Sequence, residues 1–344
     1  MKKILSLILI LALALFALTG CKSETPKELL VKASEKSLTL KTMSTDMTVT
    51  LGATASEAMT TAEPDTAAML QTFNGIKLTG TMMQDVAATK ADMKMQVVFN
   101  GMTVDFSLLM DGPQKMVLQS PLLDKIVLLT PDTDEAAPVI DKSKMLSLNK
   151  ELTTFITTFL TDEEITLEKN VAYKGKDGDT KVKMLTINLT SERVYELMNG
   201  IIPVVYQNEY IKELMMPTLK AQLEAQGADA TDEAIKAELD KLPAMLQDAL
   251  VQSKEVMNFS AMTIKMGIDK NYNTVTSNVQ MGMIAANPDA PEQTVNITID
   301  YLIDSYAFDK PVTVTLPEMT DDNTMSMDDF MMQLMFGLMG VMGQ

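Results

Sequence analysis

The 344-residue chain contains no histidine, no tryptophan and a single cysteine. Without histidine, Ser-His-Asp and Cys-His catalysis and histidine-ligated zinc or copper sites are excluded. One cysteine permits no intramolecular disulfide, so the fold depends on burial alone. Aromatic residues make up only 5% of the chain, whereas methionine numbers 31. The interior must therefore be filled largely by flexible thioether and aliphatic side chains. Positive charge is also scarce: 29 Lys and Arg stand against 46 Asp and Glu, a net charge of −17. That balance argues against nucleic acid as a partner and against charge-driven docking on anionic headgroups. No phosphate loop, Gly-x-Ser-x-Gly elbow or metal-ligand set occurs, so the sequence predicts neither an enzyme nor a cofactor nor a metal.

What is present begins at the N-terminus, where Lys2 and Lys3 precede an apolar run from Ile4 to Leu18, interrupted by Ser6 and followed by Thr19, Gly20 and Cys21. The lysines hold the cytoplasmic side while the apolar segment enters the translocon. The run is shorter than the ~20 residues that a spanning helix needs. The stretch resembles the bacterial lipoprotein signal, which implies cleavage between Gly20 and Cys21 and a diacylglyceryl group on Cys21. The alternative is an uncleaved anchor with an incidental cysteine. Two acyl chains suffice for stable anchoring. The expected mature protein is tethered to the cell membrane or outer envelope on its extracytoplasmic side. Its net charge is −19, because Lys2 and Lys3 leave with the signal.

After a short tether, Pro26 suits the first turn of a helix over 26–41. Met43, Thr45, Met47, Val49 and Leu51 then alternate with polar residues as a half-buried strand. The Ala/Thr-rich stretch 53–73, with Pro64 inside it, reads as a loop or a short helix. Alternation resumes at Ile76 to Met82, at Ala91 to Phe99 and at Met102 to Met110, the last two joined by Asn100-Gly101, a strong hairpin signal. Strands over 114–119 and 125–130 extend this meander, which has one apolar face to cover. An acidic connector over 131–143 leads to a helix over 149–160 with Leu152, Phe155, Ile156 and Phe159 on one side. A hairpin follows over 165–173 and 182–190. Thr190 or Ser191 caps the next helix, with Val194, Leu197, Met198, Ile201 and Ile202 apolar.

Pro203, Pro217, Gly227 and Pro243 are expected to interrupt the helical region 191–257, whose polar middle, 220–241, reads as a solvated hairpin or small lid. Strands return at Met262 to Ile268, Val275 to Met283, Val295 to Ile303 and Val312 to Leu316. The prediction is an α+β fold: a large curved antiparallel sheet, an unclosed barrel, with helices packed on its concave face. The expected organisation is a signal (1–20), a tether (21–26), one domain (27–317) and an acidic linker with a Met-rich segment (318–344). A split into two domains near Asp141 is the alternative.

The lipobox, the short helix, the Met/Thr strand 43–51 and the closing pattern Asp269-Lys270-Asn271, Ile299-Asp300-Tyr301, Phe308-Asp309-Lys310-Pro311-Val312 and Leu316-Pro317 resemble bacterial lipoproteins of the LolA/LppX/LprG-like superfamily. The resemblance implies an unclosed barrel around helices and an apolar cavity for acyl chains. It supplies no sharp motif from which a site residue could be carried over. The candidate groove lining is Met47, Val49, Met95, Val97, Phe106, Phe155, Phe159, Met198, Met266 and Met281. The expected partners are the membrane, through acylated Cys21, and a lipid or other apolar ligand held without catalysis. The alternative is a structural or interaction lipoprotein whose groove is filled by its own side chains.

Three further features are weaker. Asp177-Gly178-Asp179 and Asp321-Asp322-Asn323 lack the spacing of a calcium loop and read as a turn and a linker. Asn188, Asn258 and Asn296 open glycosylation sequons that a bacterial signal makes idle. Met325, Met327, Met331, Met332, Met335, Met339 and Met342 read either as soft copper(I) ligands or as an apolar helix that docks into the groove or on a membrane.

Overall fold

The computed structural model describes residues 24–332 apart from 87, 100, 113–114, 130–140, 255, 328 and 331. The signal with Gly20 and Cys21, Asn100 of the hairpin turn, most of the acidic connector and the methionines at 331, 335, 339 and 342 lie outside the described residues. Helix α1 (Pro26–Thr39) starts at a capping box in which Thr25 accepts from the Glu28 amide and Glu28 accepts from the Thr25 amide. Strand β1 (Thr42–Ala55), helices α2 (Glu57–Ala62) and α3 (Pro64–Phe73), and strands β2 (Ile76–Asp85), β3 (Lys90–Phe99), β4 (Met102–Asp111), β5 (Met116–Gln119) and β6 (Ile126–Leu128) follow. Next come α4 (Lys142–Phe159), β7 (Ile165–Gly175), β8 (Gly178–Leu189), α5 (Ser191–Tyr206), α6 (Glu209–Ala225) and α7 (Asp232–Ser253). Strands β9 (Met257–Phe259), β10 (Met262–Ile268), β11 (Thr274–Asn287), β12 (Ala290–Tyr306) and β13 (Thr324–Ser326) follow.

Among the described residues thirteen strands join one open sheet in the order β13-β6-β5-β4-β3-β2-β1-β12-β11-β10-β8-β7, with β9 added to β11. Every ladder is antiparallel except β13 with β6. The predicted α+β fold with a large, unclosed, mainly antiparallel sheet is therefore present. Its central pair, β1 with β12, joins residues from both sides of Asp141.

Apolar residues on one face of β7, β8 and β10 meet α1 and α5 in the main core. Ile165, Leu185, Ile187, Leu189 and Ile268 from the sheet are all buried there with Leu29, Ala33, Leu160, Val194 and Tyr195. Each fully buried aliphatic side chain of this kind contributes ~1.5–3 kcal/mol relative to an exposed one. Helix α1 also packs on α4, and α5 on α4 and α7. The helices thus cover one half of the sheet face, not its whole breadth.

Several local expectations are corrected. Of the stretch 53–73, residues 53–55 end β1 and the rest forms two helices, because Ser56 caps the first through the Met59 amide and Pro64 occupies the first turn of the second. Helix α4 starts earlier than predicted, at Asp141, whose carboxylate accepts from the Ser143 and Lys144 amides. Pro203, Pro217 and Pro243 all lie inside helices. The chain breaks at Asn208, which caps α6, and, as expected, in the turn around Gly227, whose φ is 68°. Range 220–241 is not a wholly solvated lid, since Ile235 and Leu239 of α7 are buried. The Val312 to Leu316 stretch joins no ladder; it crosses the second face of the sheet, where Val314 packs on Leu109 and Val117.

Arg193 of α5 ties this core together. Its guanidinium donates to both Glu164 oxygens, at 2.5 and 3.1 Å, and to the Phe159 carbonyl at 2.8 Å, while lying 3.8 Å from the Phe159 ring centroid. The Arg193 hydrogen bond holds the Glu164 carboxyl at about 2, against an ordinary 4.5. A depressed carboxylate stabilises the fold above its unfolded pKa, and that contribution disappears as pH falls through the folded value. Glu164→Gln is therefore expected to melt below the native chain at pH 7, the two converging as pH falls from about 4.5 toward 2. A difference independent of pH in thermal melts would count against this pair.

Candidate functional site

Strand register places the predicted groove residues in cross-strand rows. Met47 lies opposite Gly80, Gly80 opposite Met95, and Met95 opposite Phe106. In the other direction the same row continues from Met47 through Ile303, Ser277 and Met266 to Leu185. A second row, two residues along each strand and on the same face, runs Ile187, Ile264, Val279, Tyr301, Val49, Leu78, Val97, Val104. A third passes through Thr45, Met82, Met93, Leu108 and Leu118. One apolar face therefore extends from the helix-covered core across β12 and β1 to β5.

The two halves of that face differ in what lies over them. Met266 and Met281 pack into the core beneath the helices, together with Phe159. On β1 to β4, Met47, Val49, Leu78, Met82, Met93, Met95, Val97, Val104, Phe106 and Leu108 are only half-buried. No described helix packs extensively on β2, β3 or β4. Helix α3 closes one end, its Phe73 ring 6.1 Å from that of Phe99. Gly80 lets Met47 lie flat across β2: a Cβ there would come within 2.9 Å of the Met47 Cε. The surface is thus a shallow, methionine-rich sheet face, adaptable in shape because thioether chains repack easily.

The ten predicted lining residues do not form one groove. Met47, Val49, Met95, Val97 and Phe106 share the uncovered half, and Met266, Met281 and Phe159 belong to the close-packed core. Phe155 stacks on Phe159 at 5.9 Å and lines a notch of ≈ 520 Å³ between α4 and α5. Met198 is 37% exposed on α5. Sequence reasoning missed Leu78, Met82, Met93, Val104 and Leu108, although their alternation was the available signal.

A larger concavity, ≈ 860 Å³, crosses β1 to β5. Its lining includes the rows Asp46, Thr81, Lys94, Ser107, Gln119 and Thr48, Thr79, Gln96, Asp105, with Met47, Gly80, Met95 and Phe106 between them. These two rows point away from the apolar face, and Leu78, Met82, Met93 and Val97 take no part in the lining. This trough therefore opens on the polar face, where sequence reasoning placed no site. Gln96 donates to Asp105 at 3.0 Å within it.

No protein-family model matches this sequence, and no curated protein does either. Among solved structures, one of lipovitellin concerned with lipid-protein interactions aligns at 6% identity over 81% of this chain, with a TM-score of 0.24. The chain spans 26% of that structure's length, and a likeness so low carries no argument about fold or ligand.

The remaining candidates resolve structurally. Asp177 accepts from the Ala307 amide at 2.7 Å and pairs with Lys310 at 2.9 Å, so the Asp177-Gly178-Asp179 turn clamps the β7–β8 hairpin to the end of β12. Tyr173 strengthens the clamp by donating to Asp304 at 2.8 Å, and burial together with that bond pushes its phenol pKa upward. Among the described residues, no three His, Cys, Asp or Glu are grouped to hold a metal. No described helix is long and apolar enough to cross a membrane.

Proposed function

We propose that this protein is a membrane-tethered bacterial lipoprotein, of the LolA/LppX/LprG-like kind, that binds a lipid or other apolar ligand without catalysis. The supporting observation is the uncovered half of the apolar face, ten half-buried side chains on β1 to β4 where no described helix packs extensively on β2, β3 or β4. Contiguous exposed apolar patches larger than a few hundred Å² mark interaction sites more often than chance. The ligand surface differs from the predicted groove between sheet and helices, because that space is filled by Leu185, Ile187, Val194, Tyr195 and their neighbours. Acylated Cys21 supplies the anchor and places the domain outside the cytoplasm.

Native mass spectrometry of residues 22–344 purified from a bacterial host, with solvent extraction of what co-purifies, tests the reading. A stoichiometric lipid or fatty acid is expected. An apo mass that stays unchanged after addition of lipids would favour an envelope interaction protein whose apolar face meets a protein instead.

A further inference from the structure

The reach of the tether and the pinning of Glu24 together limit how the domain sits on its membrane. Glu24 is the first described residue, three positions after Cys21. Its carboxylate is held by Lys183 at 2.6 Å and Lys32 at 2.8 Å, and only 13% of the side chain is exposed. Burial alone would raise the Glu24 pKa, but the hydrogen bonds from Lys183 and Lys32 outweigh it and keep the group ionised. Both ammonium groups lie over the Tyr272 ring, 5.1 and 5.4 Å from its centroid. Three fully extended residues span only ~10 Å. An acyl group on Cys21 therefore cannot be far from this cluster.

Tyr272 belongs to the turn between β10 and β11, where Lys270 and Asn271 are exposed. From there β11 runs 14 residues to Asn287 at its opposite end, a length of ~45 Å. At that far end stand α2, α3 and the β11–β12 turn, bound together by Ser56, which donates to the Thr294 and Glu292 carbonyls. The far end carries Glu57, Glu63, Asp65, Asp289 and Glu292, and ranges 53–74 and 284–294 contain no Lys or Arg. At the anchor end Asp111, Asp177 and Asp309 each pair with a lysine, Lys90, Lys310 and Lys36, whereas none of the five far-end carboxylates makes an ion pair among the described residues.

We infer that the pole formed by Glu24, Lys32, Lys183 and the 269–273 turn faces the bilayer, within ~10 Å of the phospholipid headgroups, while the acidic pole points outward. This orientation rests on acylation of Cys21. Lysine and tyrosine suit the headgroup level, whereas five carboxylates that no described lysine pairs would be repelled by anionic phosphates. The strands then run along the bilayer normal, so the uncovered apolar face rises from the membrane surface as a track along which an acyl chain can leave it.

The test uses the full chain processed in a bacterial host, with a single new thiol at Lys270→Cys or Asp289→Cys. Acylated Cys21 does not react, so each thiol takes a fluorescent donor alone, and the protein is placed in vesicles of phosphatidylcholine and phosphatidylglycerol containing an acceptor lipid. Energy transfer from position 270 is expected to exceed that from 289 several-fold. Equal or reversed transfer from 270 and 289 in an acylated, floating protein would overturn the orientation alone. An intact mass lacking the diacylglyceryl group, with no flotation, would remove the lipoprotein reading and the orientation with it.

Discussion

Replacing Met95 by lysine is expected to weaken binding of a fluorescent fatty acid at least tenfold while shifting the melting temperature by only a few degrees. Met95 sits mid-row between Gly80 and Phe106 on the uncovered half, half-buried, and no described helix packs on its strand. An ammonium there must be desolvated against any acyl chain that covers it, and 1.4 kcal/mol of such cost already gives a factor of ten. In the ligand-free protein the same ammonium reaches water, so stability changes by about 0.5–1 kcal/mol. Phe106→Asp on the next strand should behave alike. Fluorescence titration and thermal melts on the same samples decide the matter. Undiminished affinity in both variants would place the ligand elsewhere, the polar trough of ≈ 860 Å³ being the next surface to probe.

Leu185→Ala is expected to do the reverse, lowering stability by about 2–5 kcal/mol in urea unfolding while ligand affinity below the transition is retained. Leu185 is 0% exposed and lies opposite Met266, at the covered end of the same row that carries Met47 and Met95. Truncation there removes three methyl-sized groups from a close-packed interface with α1 and α5 and leaves a cavity. A loss below 1 kcal/mol would show that the covered half is not the source of stability. The two substitutions together test whether one row divides into a part that holds the fold and a part that binds the proposed ligand.

The alternation of Met43 to Leu51, Ala91 to Phe99 and Met102 to Met110 was sufficient to find the strands and to assign one apolar face. The same pattern could not reveal which strands a helix covers, because Leu185 under α5 and Met95 in the open obey the same period of two. Helix interruptions were over-read at Pro203, Pro217 and Pro243. A proline forfeits one backbone donor and costs ~3 kcal/mol in isolation. Packing offsets that cost here, most directly at buried Pro243. Asp141 and Ser56 were missed as caps since each stands in a polar stretch where many residues could serve. Phe155 and Met198 have the right spacing for an apolar helix face, but α4 and α5 turn them to a notch and to solvent, and only tertiary packing decides that. The polar trough had no signature at all, being built from ordinary outward residues on four long strands and a short fifth.

The pairing of β1 with β12 sets the order in which the chain can become structured. Met47 finds its partner Ile303 some 256 positions later, and synthesis at ~5–20 residues per second separates their emergence by about 13 to 50 s. Throughout that interval the central ladder does not exist, and β1 has only the β2 side to pair with. Contacts of such high sequence separation also fold slowly once both strands are available. A chain of this topology cannot close its central seam until its C-terminal third has been made, so the two halves of the sheet stay unjoined for most of synthesis.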